Sequence, residues 1–268
     1  QMLKDLELSE EDHRLLLARC QQKGVLFLSS PFDETSADLL ESLNVPAYKI
    51  PSGEITNHPY LAHIARKGKP IILSTGMSGL GEVEAAVETI AGAGSPPLVL
   101  LHCVSQYPAP PEELNLRAMH TLEAAFDVPV GFSDHTEGIE MALVAVALGA
   151  AVIEKHFTLD RSLPGPDHRA SLEPDALKRL ADGMKRVQIA LGDGRKLPTA
   201  SERNTAEVAR KSLVAACDIP AGTVLKDELV AVRRPGTGLP PALREQLIGR
   251  ITTKALTAGQ LFSWEDLA

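Results

Sequence analysis

His135 and His156 end two consecutive apolar runs, PVGFSDH from Pro129 and AVIEKHFT from Ala151, and stand 21 residues apart. Two neutral imidazoles delivered by neighbouring strands can share one cation and leave coordination positions open. That set suits a divalent transition metal acting as a Lewis acid. The competing reading is a pair of ordinary hydrogen-bonded histidines. Asp167 and His168, in the PGPDH loop that follows, are candidates for further ligands or substrate contacts. Lys49, in AYKIPSGE, lies inside an apolar run, and an ammonium turned inward among hydroxyls makes a phosphate or carboxylate site. Alternation places Lys49 on the side of Pro51 rather than Ser52, unless a turn at 51–53 breaks the parity. By the same alternation Lys155 faces away from His156, and Glu154 and Lys155 read as a structural pair at the back of the strand. RRPGTG, residues 233–238, sets two arginines before a Gly/Pro loop, as an arm into a neighbouring site or as solvated surface charge.

The elements that must position these groups are legible as six β-like runs. They are VLFLSSPF from Val25, AYKIPSG from Ala47, PIILSTG from Pro70, LVLLHCVS from Leu98, PVGFSDH and AVIEKHFT. Most are solidly apolar, as in parallel strands covered on both faces. Between them EEDHRLLLARCQQKG, TSADLLESLN, GEVEAAVETIAGAG and EGIEMALVAVALGA read as helices, and strand–helix alternation at this spacing is βαβ organisation. A (β/α)8 TIM-type barrel and an open doubly wound sheet both fit it. The strand ends favour the barrel. Ser29 and Ser30, Ser52 and Glu54, Ser74 and Thr75, Ser105, Ser133 and His135, then His156 and Thr158 form one convergent polar rim, as barrel loops do. Eight strands close such a barrel and six are legible, so residues 1–194 are expected to be a barrel lacking its first two βα units. Polar residues 195–210 read as a linker. Residues 211–268, with turns recurring as IPAGTVL and LTAGQLF, read as a small β-rich domain whose size calls for docking on something.

Composition narrows the partners. A formal charge of −8 opposes generic nucleic-acid binding, and 4% aromatic content leaves few stacking platforms. No apolar run is long enough to span a membrane, and no secretory leader is visible at the front. Cys20, Cys103 and Cys217 are odd in number and far apart, as expected of reduced thiols in a cytoplasmic protein.

Taken together, KIPSGEITN, ILSTGM, NLRAM, GFSDHT, IEKHFTLDRSLPGPDH, ASLEP and RRPGTG resemble the bacterial sialic acid (N-acetylneuraminate) synthase family over nearly the whole chain. The C-terminal part resembles that family's SAF, or antifreeze-like, domain. The resemblance implies a barrel plus SAF domain in a domain-swapped homodimer that condenses phosphoenolpyruvate with N-acetylmannosamine and releases phosphate. It implies His135 and His156 as ligands of a divalent metal, manganese above magnesium or cobalt. It implies Lys49, Ser52, Ser74, Ser133, Ser30 and Ser105 as phosphoenolpyruvate contacts, which turns Lys49 inward. Glu54, Tyr107 and Asp167 would meet the sugar, with Arg234 of the partner's SAF domain on the N-acetyl group. Lys49, Glu54 and His156 would be the catalytic residues. A glutamate and a lysine of the family's first two strands match nothing here. Alternatives are a legionaminic or pseudaminic acid synthase, a metal aldolase releasing pyruvate, or a non-catalytic sugar-binding fragment.

Overall fold

Ser9 opens the first helix among the described residues, α1 (Glu10–Lys23). Its hydroxyl accepts the Asp12 N–H while the Asp12 carboxylate accepts the Ser9 N–H, a reciprocal capping box, and left-handed Gly24 ends the helix. The computed structural model describes residues 7–268, which divide into two units, the second running from Gly194 to Ala268.

In the first unit α1 is followed by α2 (Glu34–Ser42), β1 (Tyr48–Ile50), α3 (His58–Arg66), β2 (Ile71–Ser74) and α4 (Leu80–Ala93). Then come β3 (Leu98–Cys103), α5 (Ala118–Phe126), β4 (Val130–Asp134), α6 (Glu140–Ala147), β5 (Ile153–Lys155) and α7 (Pro174–Leu191). The strands pair in parallel in the order β1-β2-β3-β4-β5. A doubly wound sheet reverses its order at a switch point, and this one does not. It is a curled half-barrel whose edges, among the described residues, are β1 and β5.

Five parallel strands, unclosed among the described residues, stand where six strands of an incomplete barrel were expected. One expectation needs correction: the run Val25–Phe32, expected as a strand, joins no ladder among the described residues. Its composition is strand-like, but a strand exists only where a neighbour takes up its backbone groups, and Val25, Leu26 and Phe32 are left exposed.

Alternation gives the sheet two faces. Tyr48, Ile50, Ile71, Leu73, Leu100 and Phe132 point toward the helices and are fully buried there, joined by Leu61 and Ile64 of α3 and Ile90 of α4. Burying each such side chain contributes about 1.5–3 kcal/mol before entropy is counted. That core holds the opposite face in place.

The second unit carries a helix, α8 (Arg203–Ala209), within the stretch expected to be a plain linker. An antiparallel pair, β6 (Ser212–Ala215) and β7 (Val230–Arg233), and the short α9 (Arg244–Leu247) enclose Leu213, Ile219, Leu225, Leu256 and Phe262. The repeated turns place Gly222 and Gly259 at φ +77 and +83, a backbone region that glycine enters without penalty.

Candidate active site

The ladder fixes which polar residues share the face away from the helices. Lys49 lies opposite Ile72, whose parity is that of Ser74; Ser74 lies opposite Leu101, Cys103 opposite Ser133, and Ser133 opposite Glu154. Lys49, Ser74, Cys103, Ser133 and Glu154 therefore point to one side, and His135 and His156 continue the same parity just past the strand ends.

Around Lys49 the group is hydroxyl-rich. Lys49 Nζ donates to Ser74 Oγ at 2.9 Å and to the Ile50 carbonyl at 3.2 Å, with Glu154 Oε2 at 3.5 Å. Ser52 joins from a 3-10 turn, Ser52–Glu54, which breaks the strand parity directly after Pro51. Its Oγ accepts the Gly76 N–H at 3.0 Å and lies 3.2 Å from Cys103 Sγ. A Cβ on Gly76 would collide with Ser105 Oγ and stand 2.8 Å from Cys103 Sγ and 2.9 Å from Ser52 Oγ. Gly76 is thus the point where three strand ends converge, and only glycine leaves them room.

Beside this group sit the two imidazoles. Their ring centroids are 5.3 Å apart and nearly perpendicular, and Tyr107 packs on both, at 4.2 Å from His135 and 5.4 Å from His156. His135 Nδ1 is 2.7 Å from the Val104 carbonyl, which only accepts, so Nδ1 carries the proton. Ser133 donates to Glu154 Oε1 at 2.7 Å, which leaves the lone pair of His135 Nε2, 3.3 Å from Ser133 Oγ, uncommitted. Burial, reinforced by repulsion from His156, holds His135 below the ordinary histidine range and keeps it neutral, against the opposing pull of the Val104 bond. Asp167 Oδ2 stands 3.9 Å from His156 Nδ1. Burial, with the nearby Cys103, Asp167 and Glu154, raises the Tyr107 phenol and preserves its O–H as a donor.

The local surroundings of the remaining expected residues differ from one to the next. Glu54 accepts from Asn57 Nδ2 at 2.8 Å in the turn after β1 and makes no bond to the Lys49 group. Ser30 lies on the segment before α2 and makes no side-chain hydrogen bond among the described residues. His168 is held by Thr158 Oγ1 at 2.7 Å. Arg234, in the second unit, donates from Nε to the Ala209 carbonyl at 3.1 Å. Glu154 requires correction: it is not at the back of the strand but between Ser133 and Lys49. Its shared parity with His156 was the available signal. Lys155 does face the helices, and its partner is Asp134 rather than Glu154. Among the described residues no three His, Cys, Asp or Glu side chains cluster as a metal-binding group, and no helix is long and apolar enough to cross a membrane.

Residues 1–196 match the model of the NeuB family, and residues 210–268 match the SAF domain. The chain belongs to the NeuB family. This NeuB member is 48% identical to an N,N'-diacetyllegionaminic acid synthase of Campylobacter jejuni over 95% of its length and 77% of that protein's. It is 46% identical to the synthase of the same name from Legionella pneumophila, covering all of this chain and 76% of that one. A crystal structure of the N-acetylneuraminic acid (sialic acid) synthetase of Leptospira borgpetersenii in complex with citrate superposes with a TM-score of 0.71 at 40% identity, covering 76% of this chain and 71% of that one.

Proposed function

We propose that this chain condenses phosphoenolpyruvate with a six-carbon sugar bearing two acetamido groups, giving a nonulosonic acid of the legionaminic type and phosphate. One observation carries the reading: on the open face of the sheet Lys49 donates to Ser74, and on the neighbouring strand ends Ser52 and Ser105 converge on the Gly76 backbone. A cation among hydroxyls and an N–H is an anion cradle. The sugar expected first, N-acetylmannosamine, gives way to a diacetamido acceptor. Two relatives near 50% identity are named for an N,N'-diacetyl product, and phosphoenolpyruvate contributes three carbons and no nitrogen, so both acetamido groups must arrive on the acceptor.

In this reading Lys49 and the serines bind the phosphate and carboxylate of phosphoenolpyruvate and aim its C3 at the aldehyde carbon of the open-chain sugar. The new C–C bond leaves a cation at C2, which water captures before the C2–O bond to phosphate breaks. Holding both reactants and stabilising charge is where the acceleration arises. Tyr107 and Asp167 face the sugar. Glu54, in its turn beside the face, is assigned the water or hydroxyl proton, and Ser30 an outer contact to the anion. His135 and His156 fit a divalent metal, manganese above magnesium or cobalt: both rings lie on one face and the His135 Nε2 lone pair is free. Such a metal supplies polarisation of the aldehyde oxygen. A homodimer in which Arg234 of a second copy meets an N-acetyl group completes the assignment. Three free, separated cysteines fit the reducing cytoplasm.

The test is phosphate release with manganese and a panel of acceptors. The diacetamido sugar should be preferred over N-acetylmannosamine in kcat/KM. Preference for N-acetylmannosamine would restore the simpler sialic acid synthase, and release of pyruvate in the reverse direction would mark an aldolase.

A further inference from the structure

We propose that the buried Asp134–Lys155 ion pair, on the helix-covered face of the sheet, fixes the separation and orientation of His135 and His156 on the other face. Asp134↔Lys155 is the last rung of the β4–β5 ladder. Each histidine is the next residue along its strand, so both rings sit where backbone pairing between the strands has ended. Side chains take over the link. Lys155 Nζ donates to Asp134 Oδ2 at 2.9 Å and to the Thr136 carbonyl. Asp134 Oδ1 accepts the Thr136 N–H at 2.8 Å and its hydroxyl at 2.7 Å. The residues before and after His135 are therefore both tied to the residue before His156. A further backbone bond, Ala109 N–H to the His135 carbonyl at 2.9 Å, and the Val104 bond to Nδ1 complete the hold on His135.

Burial separates this role from simple stabilisation. The side chains of Lys155 and Asp134 are 3% and 0% exposed. Desolvating two charges offsets most of their attraction, and an apolar pair of similar volume often serves a core as well or better. Geometry is what the apolar pair would not supply: two directed bonds from Lys155 that tie β5 to the Asp134–Thr136 segment, and two from Thr136 to Asp134 that lock that segment itself. Lys155 and Asp134 are positioning residues, acting on the site only through the two imidazoles.

The inference rests on reading those imidazoles as one working pair, and its test keeps the two claims apart. Asp134→Leu/Lys155→Met preserves volume without charge, and Lys155→Arg preserves the ion pair. In the metal-free protein, ring nuclear Overhauser contacts and ring nitrogen shifts of His135 and His156 report their mutual placement. Cobalt(II) binding is then measured by its visible absorption. The expected result is loss of the ring–ring contact and about a 10- to 100-fold weaker cobalt(II) affinity in the double variant, with recovery in Lys155→Arg. A folded double variant with unchanged ring signals overturns the proposal. Should the native chain bind no cobalt(II), the metal assignment fails while the ring measurement still decides the positioning role. Should the double variant not fold, Asp134→Asn/Lys155→Met is read in the same two ways.

Discussion

Lys49 and Glu154 belong to opposite edge strands of the sheet, yet Lys49 Nζ lies 3.5 Å from Glu154 Oε2. Four strand spacings of about 4.8 Å would put the edges of a flat sheet roughly 19 Å apart. The sheet has curled until side chains from its two edges touch across the hollow. Any anion drawn to Lys49 therefore meets a carboxylate already beside it.

Lys49→Met should raise the KM for phosphoenolpyruvate about 10- to 100-fold, because a charge-assisted hydrogen bond contributes roughly 1.5–3 kcal/mol. Initial rates of phosphate release at varied phosphoenolpyruvate give the value. An unchanged KM would remove Lys49 from the anion cradle.

Glu154→Gln retains an acceptor for Ser133 and removes the competing charge. Phosphoenolpyruvate should then bind several-fold tighter at low salt, with the gain shrinking as salt is added. Calorimetric titration distinguishes this from weaker binding, which would mean that Glu154 serves to hold Lys49 in place.

Gly76→Ala forces Ser52, Cys103 and Ser105 away from the backbone at the strand ends. Crowding of this kind costs about 1–3 kcal/mol, seen as a lower denaturation midpoint at unchanged slope, together with a raised KM for phosphoenolpyruvate. An alanine variant with native stability and native KM would show that the three side chains move freely.

The chain's three tyrosines are all shifted upward by burial: Tyr48 is pushed to about 12, Tyr60 further, and Tyr107 in the same direction. The folded state keeps these phenols neutral while an unfolded chain ionises near pH 10. Their contribution is intact below that pH and is lost progressively as pH climbs from 10 through 12 and beyond. Phenolate absorbance should therefore rise together with the loss of circular dichroism. A separate titration near pH 10 in a still-folded protein would contradict this.

Much of the sheet was readable because solid apolar runs such as IILS and LVLLHC admit few alternatives once βαβ spacing is present. Alternation also placed Lys155 opposite His156. Charge pairing, not alternation, misled at Glu154: the neighbouring Lys155 suggested a local pair although adjacent strand residues point apart. Val25–Phe32 misled for another reason: composition reports a tendency to extend, whereas a ladder needs a neighbour that the run itself does not contain. Gly76 could not be read at all, since its crowding comes from Ser52 and Ser105, each more than 20 residues distant in the chain. The Asp134–Lys155 link was hidden for the same reason.

Because the working residues and the buried ion pair alternate along β4 and β5, the two strands behave like a reading frame. Deleting one residue upstream within β4 would send Asp134 to the open face and His135 into the helix layer. Loop lengths in this protein can drift during divergence, but single-residue insertions or deletions inside these strands should be purged more severely than nearly any substitution.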